Sequence, residues 1–313
     1  MKAEQRAWSE EVARYYDRNT GRFLLVGNGR GVHSMHRELW GPGVGSAREA
    51  SDHINRIVAD EIESVPLASR PVIVDFGCGV GGTLYHLAER FPGARLRGIT
   101  VSRRQVEIAA RLARKLGCAD RCSVSHGDFH TADLGLEADV IVAVESFAHS
   151  ESLGAFLANA ARHLRPGGRL IIADDFLATD EDTLNVRQRA HVERFRAGWR
   201  VPAICTTRRL SEAAVEQGFR VEKMADLTPL TRPGTRARDR VIAAVSPILA
   251  GLGLVRFPFY GNMIGGHALQ VGLREGFLVY KLLILEKADR GVSRGAAGAY
   301  DARASSRASV SDP

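Results

Sequence analysis

The sequence predicts an α/β protein built around a mostly parallel, doubly wound sheet. Short apolar segments with the length of buried strands alternate with amphipathic helical segments through at least five units, which is the pattern of strand–helix–strand crossovers. A glycine-rich turn follows the first of these strands, as expected where such a sheet binds a nucleotide. With 313 residues, 45% of them hydrophobic and 25% charged, the chain is long enough to bury a large core.

The first predicted elements are a helix and the strand that follows it. Ser46 and Glu49 have the spacing of a capping box, and apolar residues then recur at helical intervals, so a helix is predicted over 46–64. The first strand is VIVDF, and the glycine-rich turn comes directly after it. A second helix, predicted over about 81–91, leads to a strand with the sequence ARLRGIT.

The middle of the chain continues the alternation. Ser102 and Gln105 form a second capping box, which starts a helix that Gly117 is predicted to end. The strands CSVSHGD and ADVIVAVES follow, and a helix with an apolar face separates them from the strand in PGGRLIIADDF. Together these segments supply the first five strands of the predicted sheet.

The C-terminal third changes character. Helices are predicted near 180–197 and 209–217, followed by a strand in GFRVEKMADL and a last strand in FLVYKLLILEKA, which makes seven strands in all. Between these two strands lie about fifty residues rich in Gly and Pro. A loop of that length without secondary structure is uncommon inside a compact domain, so 227–275 is predicted to be a helical insertion that forms a lid over the site.

These elements divide the chain into three parts. Residues 1–64 are assigned to an N-terminal helical cap segment, within which 1–12 are predicted to lack stable structure. Residues 65–287 form the main domain and include the lid insertion. The tail, 288–313, is predicted to be disordered because it has too few apolar residues to pack.

Composition and charge argue against several classes of protein. The N-terminus has no apolar stretch of signal-peptide length, and no window approaches the roughly 18 unbroken apolar residues of a membrane span, so a cytoplasmic protein without a membrane span is expected. Four cysteines without a C-x-x-C pair indicate reduced thiols. The net charge of +7 comes with scattered arginines and little aromatic interleaving, which argues against nucleic-acid binding and favours an anionic small molecule. A homo-oligomer is left open.

The glycine-rich turn fits two nucleotide-binding patterns. Gly77, Gly79 and Gly82 have the spacing G-x-G-x-x-G of a dinucleotide site. The alternative pattern, D-x-G-x-G-x-G, is formed by Asp75, Gly77, Gly79 and Gly81. NAD also needs an acidic residue about twenty positions further on, but the second strand is followed by arginines with no carboxylate nearby. NADP would explain the arginines but not Asp75, whereas the carboxylate could reach the cationic amino group of S-adenosyl-L-methionine (SAM).

Five segments in order resemble the class I SAM-dependent methyltransferases. They are VDFGCGVGG, GITVSRRQ, HGDF, AVESFAH and LRPGGRLIIADDF, and GITVSRRQ is particularly similar to the branch that contains sterol, tocopherol and other C-methyltransferases. The resemblance implies a Rossmann-like fold and SAM as the cofactor. It also implies a set of cofactor-binding residues: Asp75, Gly77, Gly79, Gly81, Thr100, Ser102, Gln105, Asp128, Phe129 and Glu145.

Some of these residues also have simpler structural explanations. Ser102 and Gln105 would cap a helix whether or not they contact SAM, and the two roles are compatible because a helix N-terminus lies close to the ligand in such folds. In a SAM site, the Asp128 carboxylate would accept a hydrogen bond from the adenine amino group. The alternative is that Asp128 only forms a turn.

Glu145 and His149 are the candidate catalytic residues. Glu145 follows the buried run DVIVAV, so its carboxylate is expected at the carboxyl end of a strand, facing the cleft. Methylating an alkene carbon leaves a carbocation, which needs aromatic faces and a base, and Glu145 would be that base. If the acceptor is an oxygen or nitrogen of a phenolic, sugar or alkaloid metabolite, His149 would be the base instead. Glu145 has no catalytic role if it only bonds backbone or SAM.

The N-terminal segment is similar to prenyl diphosphate C-methyltransferases, the geranyl diphosphate type especially, through YYDRNT and VHSMHRELWGPG. This resemblance implies an isoprenoid substrate of specialised metabolism, with Glu145 as the base. The residues that it implies for the diphosphate are Tyr16, Asn19, Thr20, Arg22, His33 and Arg37. Tyr15, Trp40, Trp199 and Tyr260 are further substrate-binding candidates, because aromatic rings could line the pocket. The alternative for His33, His36 and Arg37 is a solvated helix face.

No metal ligands are assigned. The chain lacks a D-D-x-x-D cluster, and Asp174 and Asp175 stand alone at the end of their strand. Mg²⁺ bound through the substrate diphosphate is left open as a second cofactor. A chain that has kept this fold but lost catalysis, and serves as a partner subunit, is a further alternative, against which the complete cofactor segments argue.

Overall fold

The computed structural model describes residues 10–18, 20–21, 36–251 and 258–288. Three of the predicted substrate-binding residues, Asn19, Arg22 and His33, lie outside the described residues, and so does the predicted tail apart from Ala288. The strands are β1 (Val72–Phe76), β2 (Arg95–Thr100), β3 (Cys122–His126), β4 (Ala138–Val144), β5 (Leu164–Leu177), β6 (Phe219–Asp226) and β7 (Leu278–Lys287).

The described helices alternate with these strands as predicted. They are α1 (10–18), α2 (Ala47–Glu63), α3 (Gly82–Arg90), α4 (Arg103–Lys115), α5 (Leu153–His163), α6 (Val186–Trp199), α7 (Thr207–Glu216), α8 (Arg236–Gly251) and α9 (Pro258–Glu275). Among them, none combines the length and the apolarity that crossing a bilayer would require.

The seven strands form one sheet in the order β3-β2-β1-β4-β5-β7-β6. Strands β1 to β5 run parallel to one another, whereas β7 is antiparallel to both β5 and β6. The mostly parallel, doubly wound α/β sheet predicted from the sequence is therefore confirmed. The chain reverses its winding direction between β1 and β4, so the crevice for a ligand lies at the carboxyl ends of these two strands.

Both faces of the sheet are covered. Neighbouring residues of β4 fall into two separate hydrophobic clusters, with Val140 and Val142 in one and Ile141 and Ala143 in the other. All seven residues of β4 are buried. Burial on both faces explains why this strand reads as a continuous apolar run rather than an alternating one.

The two predicted capping boxes have different outcomes. At the start of α2, the Ser46 hydroxyl accepts from the backbone N–H of Glu49, and the Glu49 carboxylate accepts from that of Ser46, as predicted. At α4, the Ser102 side chain caps the helix, but the Gln105 side chain does not accept a hydrogen bond from the backbone N–H of Ser102. The backbone N–H of Ser102 is already bonded to the Thr100 hydroxyl at 3.2 Å, which leaves Gln105 available for other partners.

Helical structure in the N-terminal segment begins earlier in the chain than predicted. Residues 10–12, expected to lack structure, belong to α1, and the described part of this helix buries Val12 and Tyr15. These two apolar side chains pack because other parts of the fold provide a surface for them, which local composition does not reveal.

The predicted insertion at 227–275 does contain helices, α8 and α9. Helix α9 packs against α6 with an unusually close approach, since a Cβ on Gly198 would come within 2.4 Å of the Gly261 carbonyl oxygen and 2.6 Å of Gly265 Cα. Glycine at these positions lets the two backbones touch. The insertion thereby forms one wall of the cavity described next.

Candidate active site

A cavity of about 540 Å³ lies at the carboxyl ends of β1, β4 and β5. Residues from α1, α6, α9 and the segment before α2 also line it. Among the residues predicted from the sequence, the lining includes Tyr16, Arg37, Trp40, Gly77, Gly79, Thr100, Gln105, Phe129, Glu145, His149 and Trp199. The other described residues of the prediction do not line it, and these are Tyr15, Thr20, Asp75, Gly81, Ser102, Asp128 and Tyr260.

The glycine turn after β1 is a narrow cradle on the cavity wall. Gly77, Gly79 and Gly81 have positive φ angles of 83°, 56° and 92°, a region that residues with a side chain rarely adopt. A Cβ on Gly77 would also lie 2.4 Å from the Cβ of Ser146. Only glycine leaves room here for a ligand to approach the backbone, and this shape fits a nucleoside cofactor such as SAM.

Asp75 lies behind this cradle. Its side chain is only 3% exposed, and burial raises its pKa to about 7. Gly81 is the residue that caps α3. Neither of these two members of the D-x-G-x-G-x-G pattern lines the cavity.

A hydrogen-bond chain joins the end of β2 to the N-terminal segment. The Thr100 hydroxyl donates to Gln105 Oε1 at 2.5 Å, and Gln105 Nε2 donates to the Thr20 hydroxyl at 3.3 Å. The Ser102 hydroxyl donates to Asp17 at 2.5 Å instead of facing the cavity. Asp17, which the sequence analysis did not single out, thus links α1 to the start of α4.

Asp128 is held by a local turn. Its carboxylate accepts from the backbone N–H of His130 at 2.8 Å, and Nδ1 of His130 lies 2.6 Å from the same oxygen. Nε2 of His130 lies 2.8 Å from the Ser150 hydroxyl. The turn-forming role is therefore present, while Phe129 next to it lines the cavity.

Glu145 lies at the end of β4 with a strained backbone. Its φ is +51°, which is unusual for a residue with a side chain, and its N–H donates to the Ala173 carbonyl at 2.8 Å. The carboxylate accepts from the backbone N–H of Arg37 at 3.0 and 3.2 Å and from the Tyr280 hydroxyl at 3.1 Å. These donors hold the carboxylate in one orientation at the cavity wall.

Arg37 connects this carboxylate with a second acidic group. Its Nη2 lies 2.5 Å from Asp175 Oδ2, its Nε lies 3.6 Å from Glu145 Oε1, and its guanidinium stacks 4.3 Å above the Tyr280 ring. The positive charge of Arg37 is therefore shared between two carboxylates. The N-terminal segment thus completes the wall around Glu145.

Asp174 and Asp175 also line the cavity, although the sequence analysis assigned them no role in the site. Burial raises the pKa of Asp174 to about 8 and that of Asp175 to about 6, and Arg37 partly offsets the shift of Asp175. Asp174 accepts backbone N–H groups of Ala148 and Asp175, at 2.9 and 2.8 Å. Their position at the carboxyl end of a central strand was the signal that could have identified them.

His149 has a defined tautomer. Its Nδ1 lies 2.9 Å from the Arg200 carbonyl oxygen, which can only accept, so Nδ1 carries the proton. Its Nε2 then accepts from the Tyr16 hydroxyl at 2.9 Å. Burial lowers the pKa of His149, which favours the neutral imidazole. The imidazole at the cavity wall is therefore neutral, and the lone pair of its Nε2 accepts from the Tyr16 hydroxyl.

The predicted aromatic residues differ in whether they reach the cavity. Trp40 and Trp199 line the cavity. Tyr15 instead donates to the Asn262 side chain at 2.6 Å, which ties α1 to α9. In the part of the chain that the structure describes, no group of three or more His, Cys, Asp or Glu side chains could hold a metal ion.

Comparison with known proteins identifies the family. Residues 74–170 match the description "Methyltransferase domain". Methyltransferase GfsG of Streptomyces halstedii is 31% identical over 256 residues, which cover 79% of this chain and 85% of that protein. An O-methyltransferase of Pyrenophora dematioidea is 33% identical over 176 residues, which cover 54% of this chain and 61% of that protein.

Solved structures show the same fold. A geranyl diphosphate methyltransferase in complex with GPP and sinefungin superposes with a TM-score of 0.69, at 22% identity, over 90% of this chain and 100% of that one. Sterol C-methyltransferases are also among the matching proteins, in agreement with the resemblance carried by GITVSRRQ. The similarity to GfsG spans most of both chains and includes the glycine cradle, whose shape fits SAM. The chain therefore belongs to the class I SAM-dependent methyltransferases.

Proposed function

We propose that this methyltransferase adds a methyl group to an alkene carbon of an isoprenoid, most simply a prenyl diphosphate such as geranyl diphosphate. The observation that carries the proposal is the orientation of Glu145, whose carboxylate is fixed by the Arg37 backbone and by Tyr280 at the wall of a cavity that is rich in aromatic residues. The geranyl diphosphate methyltransferase named above, which covers 90% of this chain, supports the same substrate class.

The residues around the glycine cradle would bind the cofactor. In this proposal Gly77 and Gly79 pass under SAM, Thr100 and Gln105 contact its ribose, and Phe129 lies near its adenine. When bound, SAM supplies an electrophilic methyl group. Asp75, Gly81, Ser102 and Asp128 would then act from outside the cavity, by supporting the cradle and the two turns that flank it.

Glu145 would act after the new carbon–carbon bond forms. The π electrons of the alkene would form that bond to the methyl carbon as its bond to the SAM sulfur breaks, with S-adenosylhomocysteine as the leaving group, and a positive charge would be left on the adjacent alkene carbon. Glu145 then accepts a proton from a neighbouring carbon, and the electrons of the broken C–H bond form a new double bond. Tyr16 and Trp199, which line the cavity, would stabilise the cation, as aromatic rings do for other cations.

Two features of the cavity favour a largely apolar acceptor. Val12, Phe195 and Leu269 contribute apolar surface to the lining, which suits a prenyl chain. The closed contact between α6 and α9 also helps to keep water away from the carbocation, since water would capture it as an alcohol. Mg²⁺ would arrive with the diphosphate rather than through a preformed set of protein ligands.

A second candidate is the methylation of a hydroxyl group on a metabolite. The neutral His149, which accepts from Tyr16 through Nε2, favours it, because a base of this kind can remove the proton of a hydroxyl as its oxygen is methylated. The O-methyltransferase of Pyrenophora dematioidea supports this alternative. In this case the Glu145 carboxylate would bind SAM or nearby backbone groups, and it would not accept a proton from the substrate.

The experiment that separates the two is mass spectrometry of products. The protein is incubated with SAM, Mg²⁺ and a panel of isopentenyl, dimethylallyl, geranyl and farnesyl diphosphates, beside prenylated and simple phenols. A gain of one methyl group on a diphosphate, retained after the diphosphate is removed by phosphatase, supports alkene methylation. Methylation of phenols alone contradicts the proposal and assigns the proton transfer to His149.

A further inference from the structure

We propose that Arg232, stacked on the indole of Trp40, binds the phosphate or diphosphate group of the acceptor. The guanidinium carbon of Arg232 lies 4.0 Å from the centroid of the Trp40 ring, and both residues line the cavity. This inference rests on the proposed function, which it deepens by naming the residue that recognises the anionic end of the substrate.

The backbone fixes the two residues against each other. Leu39 and Thr231 form an isolated antiparallel bridge, and the N–H of Trp40 donates to the Leu230 carbonyl at 2.6 Å. Trp40 and Arg232 each follow one member of this bridge. The stack therefore joins the N-terminal segment to the start of the insertion, and its position does not depend on a flexible side chain alone.

The stacking leaves the donors of Arg232 available. A guanidinium that rests on an aromatic ring uses its face, whereas its five N–H donors lie in its plane and remain free to bind a phosphate with two parallel hydrogen bonds. In the described part of the chain Arg232 forms no ion pair with a carboxylate. Arg37, which also lines the cavity, is already bonded to Asp175.

The distribution of charge within the cavity favours one orientation of the substrate. Arg232 is exposed, whereas Asp174 and Asp175 are buried. Arg232 thus supplies cationic charge at the solvent-facing rim, beside the Glu38 carboxylate that accepts from Trp40, whereas in the interior the Arg37 guanidinium is already shared between Glu145 and Asp175. An acceptor with an anionic head and an apolar tail would place its head at Arg232, where it stays partly hydrated, and its tail in the interior.

The orientation of the ring is also controlled. The indole N–H of Trp40 donates to the Glu38 carboxylate at 3.1 Å. This bond directs the face of the ring, rather than its edge, towards the guanidinium, which is the geometry that attracts a cation. Trp40 therefore positions Arg232 and also forms part of the cavity wall.

The test is calorimetric titration of the full chain, in the presence of S-adenosylhomocysteine, with geranyl diphosphate, inorganic pyrophosphate and uncharged geraniol. Arg232→Gln should weaken binding of the two anions by about tenfold or more, the usual effect of losing a charge-assisted pair, and leave geraniol unchanged. Trp40→Ala should weaken anion binding less, because it removes only the platform. Arg220→Gln, on exposed β6 and ion-paired with Glu286, is the matched control and should bind like the wild type.

The outcomes separate this inference from the proposed function. If the wild type and Arg232→Gln bind the anions equally, the role of Arg232 is overturned and the proposal of alkene methylation is unaffected. The same holds if the wild type binds neither anion but still methylates a prenyl acceptor. Anion binding that depends on Arg232, in a protein that methylates only phenols, supports the anion site and contradicts the proposed substrate. Unchanged affinity for S-adenosylhomocysteine in each variant shows that the variants are folded.

Discussion

The hydroxyl of Tyr280 donates to Glu145 Oε1 at 3.1 Å, which joins the last strand of the sheet to the end of β4. Tyr280 is fully buried and pairs in register with Asp175 across β5 and β7. The strand that is antiparallel to its neighbours thus provides a donor for the carboxylate that we propose as the base. The antiparallel part of the sheet, and not only its parallel part, therefore contributes to the site.

Removal of this hydroxyl should impair turnover more than binding. Tyr280→Phe keeps the ring beneath Arg37 and removes one hydrogen bond to a charged group, so kcat should fall by about tenfold with little change in KM. Steady-state kinetics measure the two separately. Tyr85→Phe, which loses a hydroxyl bonded to the Ala109 carbonyl in a buried place outside the cavity, is the control and should keep its kcat. A raised KM with unchanged kcat would contradict a positioning role for Tyr280.

Replacement of Glu145 should distinguish the two candidate functions. Glu145→Gln keeps the size of the side chain but cannot accept the proton, so alkene methylation should fall by about two orders of magnitude or more. His149→Asn should have a smaller effect on that reaction. Product formation measured for both variants with the same acceptor decides between them. The reverse order of effects would favour hydroxyl methylation, with His149 as the base.

The buried carboxyl of Asp174 should make stability depend on pH. Burial raises its pKa to about 8, so the folded protein binds a proton that the unfolded chain releases at lower pH. The contribution of Asp174 to the free energy of unfolding is therefore largest at low pH and decreases as the pH rises towards about 8. Asp174→Asn removes this dependence, and the melting temperature of the variant relative to the wild type should increase from pH 5 to pH 8.

The control for this titration is Asp182→Asn, which changes an exposed carboxylate on the turn before α6. Its melting temperature should follow that of the wild type at each pH. If the difference between Asp174→Asn and the wild type is the same at pH 5 and pH 8, the carboxyl of Asp174 does not titrate in this range in the folded protein.

The close approach of α6 and α9 should limit substitutions at Gly198. A methyl group there would overlap the backbone of α9, so Gly198→Ala should destabilise the protein by about 1–3 kcal/mol, the usual cost of overpacking, and raise KM for the acceptor. Gly154→Ala in α5 is the matched control, because nothing lies within 4 Å of the added Cβ. Thermal unfolding and kinetics of both variants test this, and an unaffected Gly198→Ala would show that α9 can move away freely.

Much of the fold could be predicted from local sequence. The apolar runs, the two cap residues and the glycines after β1 identified the order of strands and helices because these signals act over a few residues. The number of strands and the parallel character of most of them followed from the same alternation. The prediction was wrong where the signal depended on distant partners, as at residues 10–12, which are helical.

The sequence by itself determined the cofactor region and the end-of-strand position of Glu145, because the period of burial along a strand is local. Only the tertiary structure decided which residues meet there. Glu145 contacts Arg37 and Tyr280, which are 108 and 135 residues away along the chain. Arg232 meets Trp40 because a backbone bridge joins two distant segments. Contacts of this kind form when the sheet and the insertion pack, and no periodic pattern in the sequence encodes such pairs.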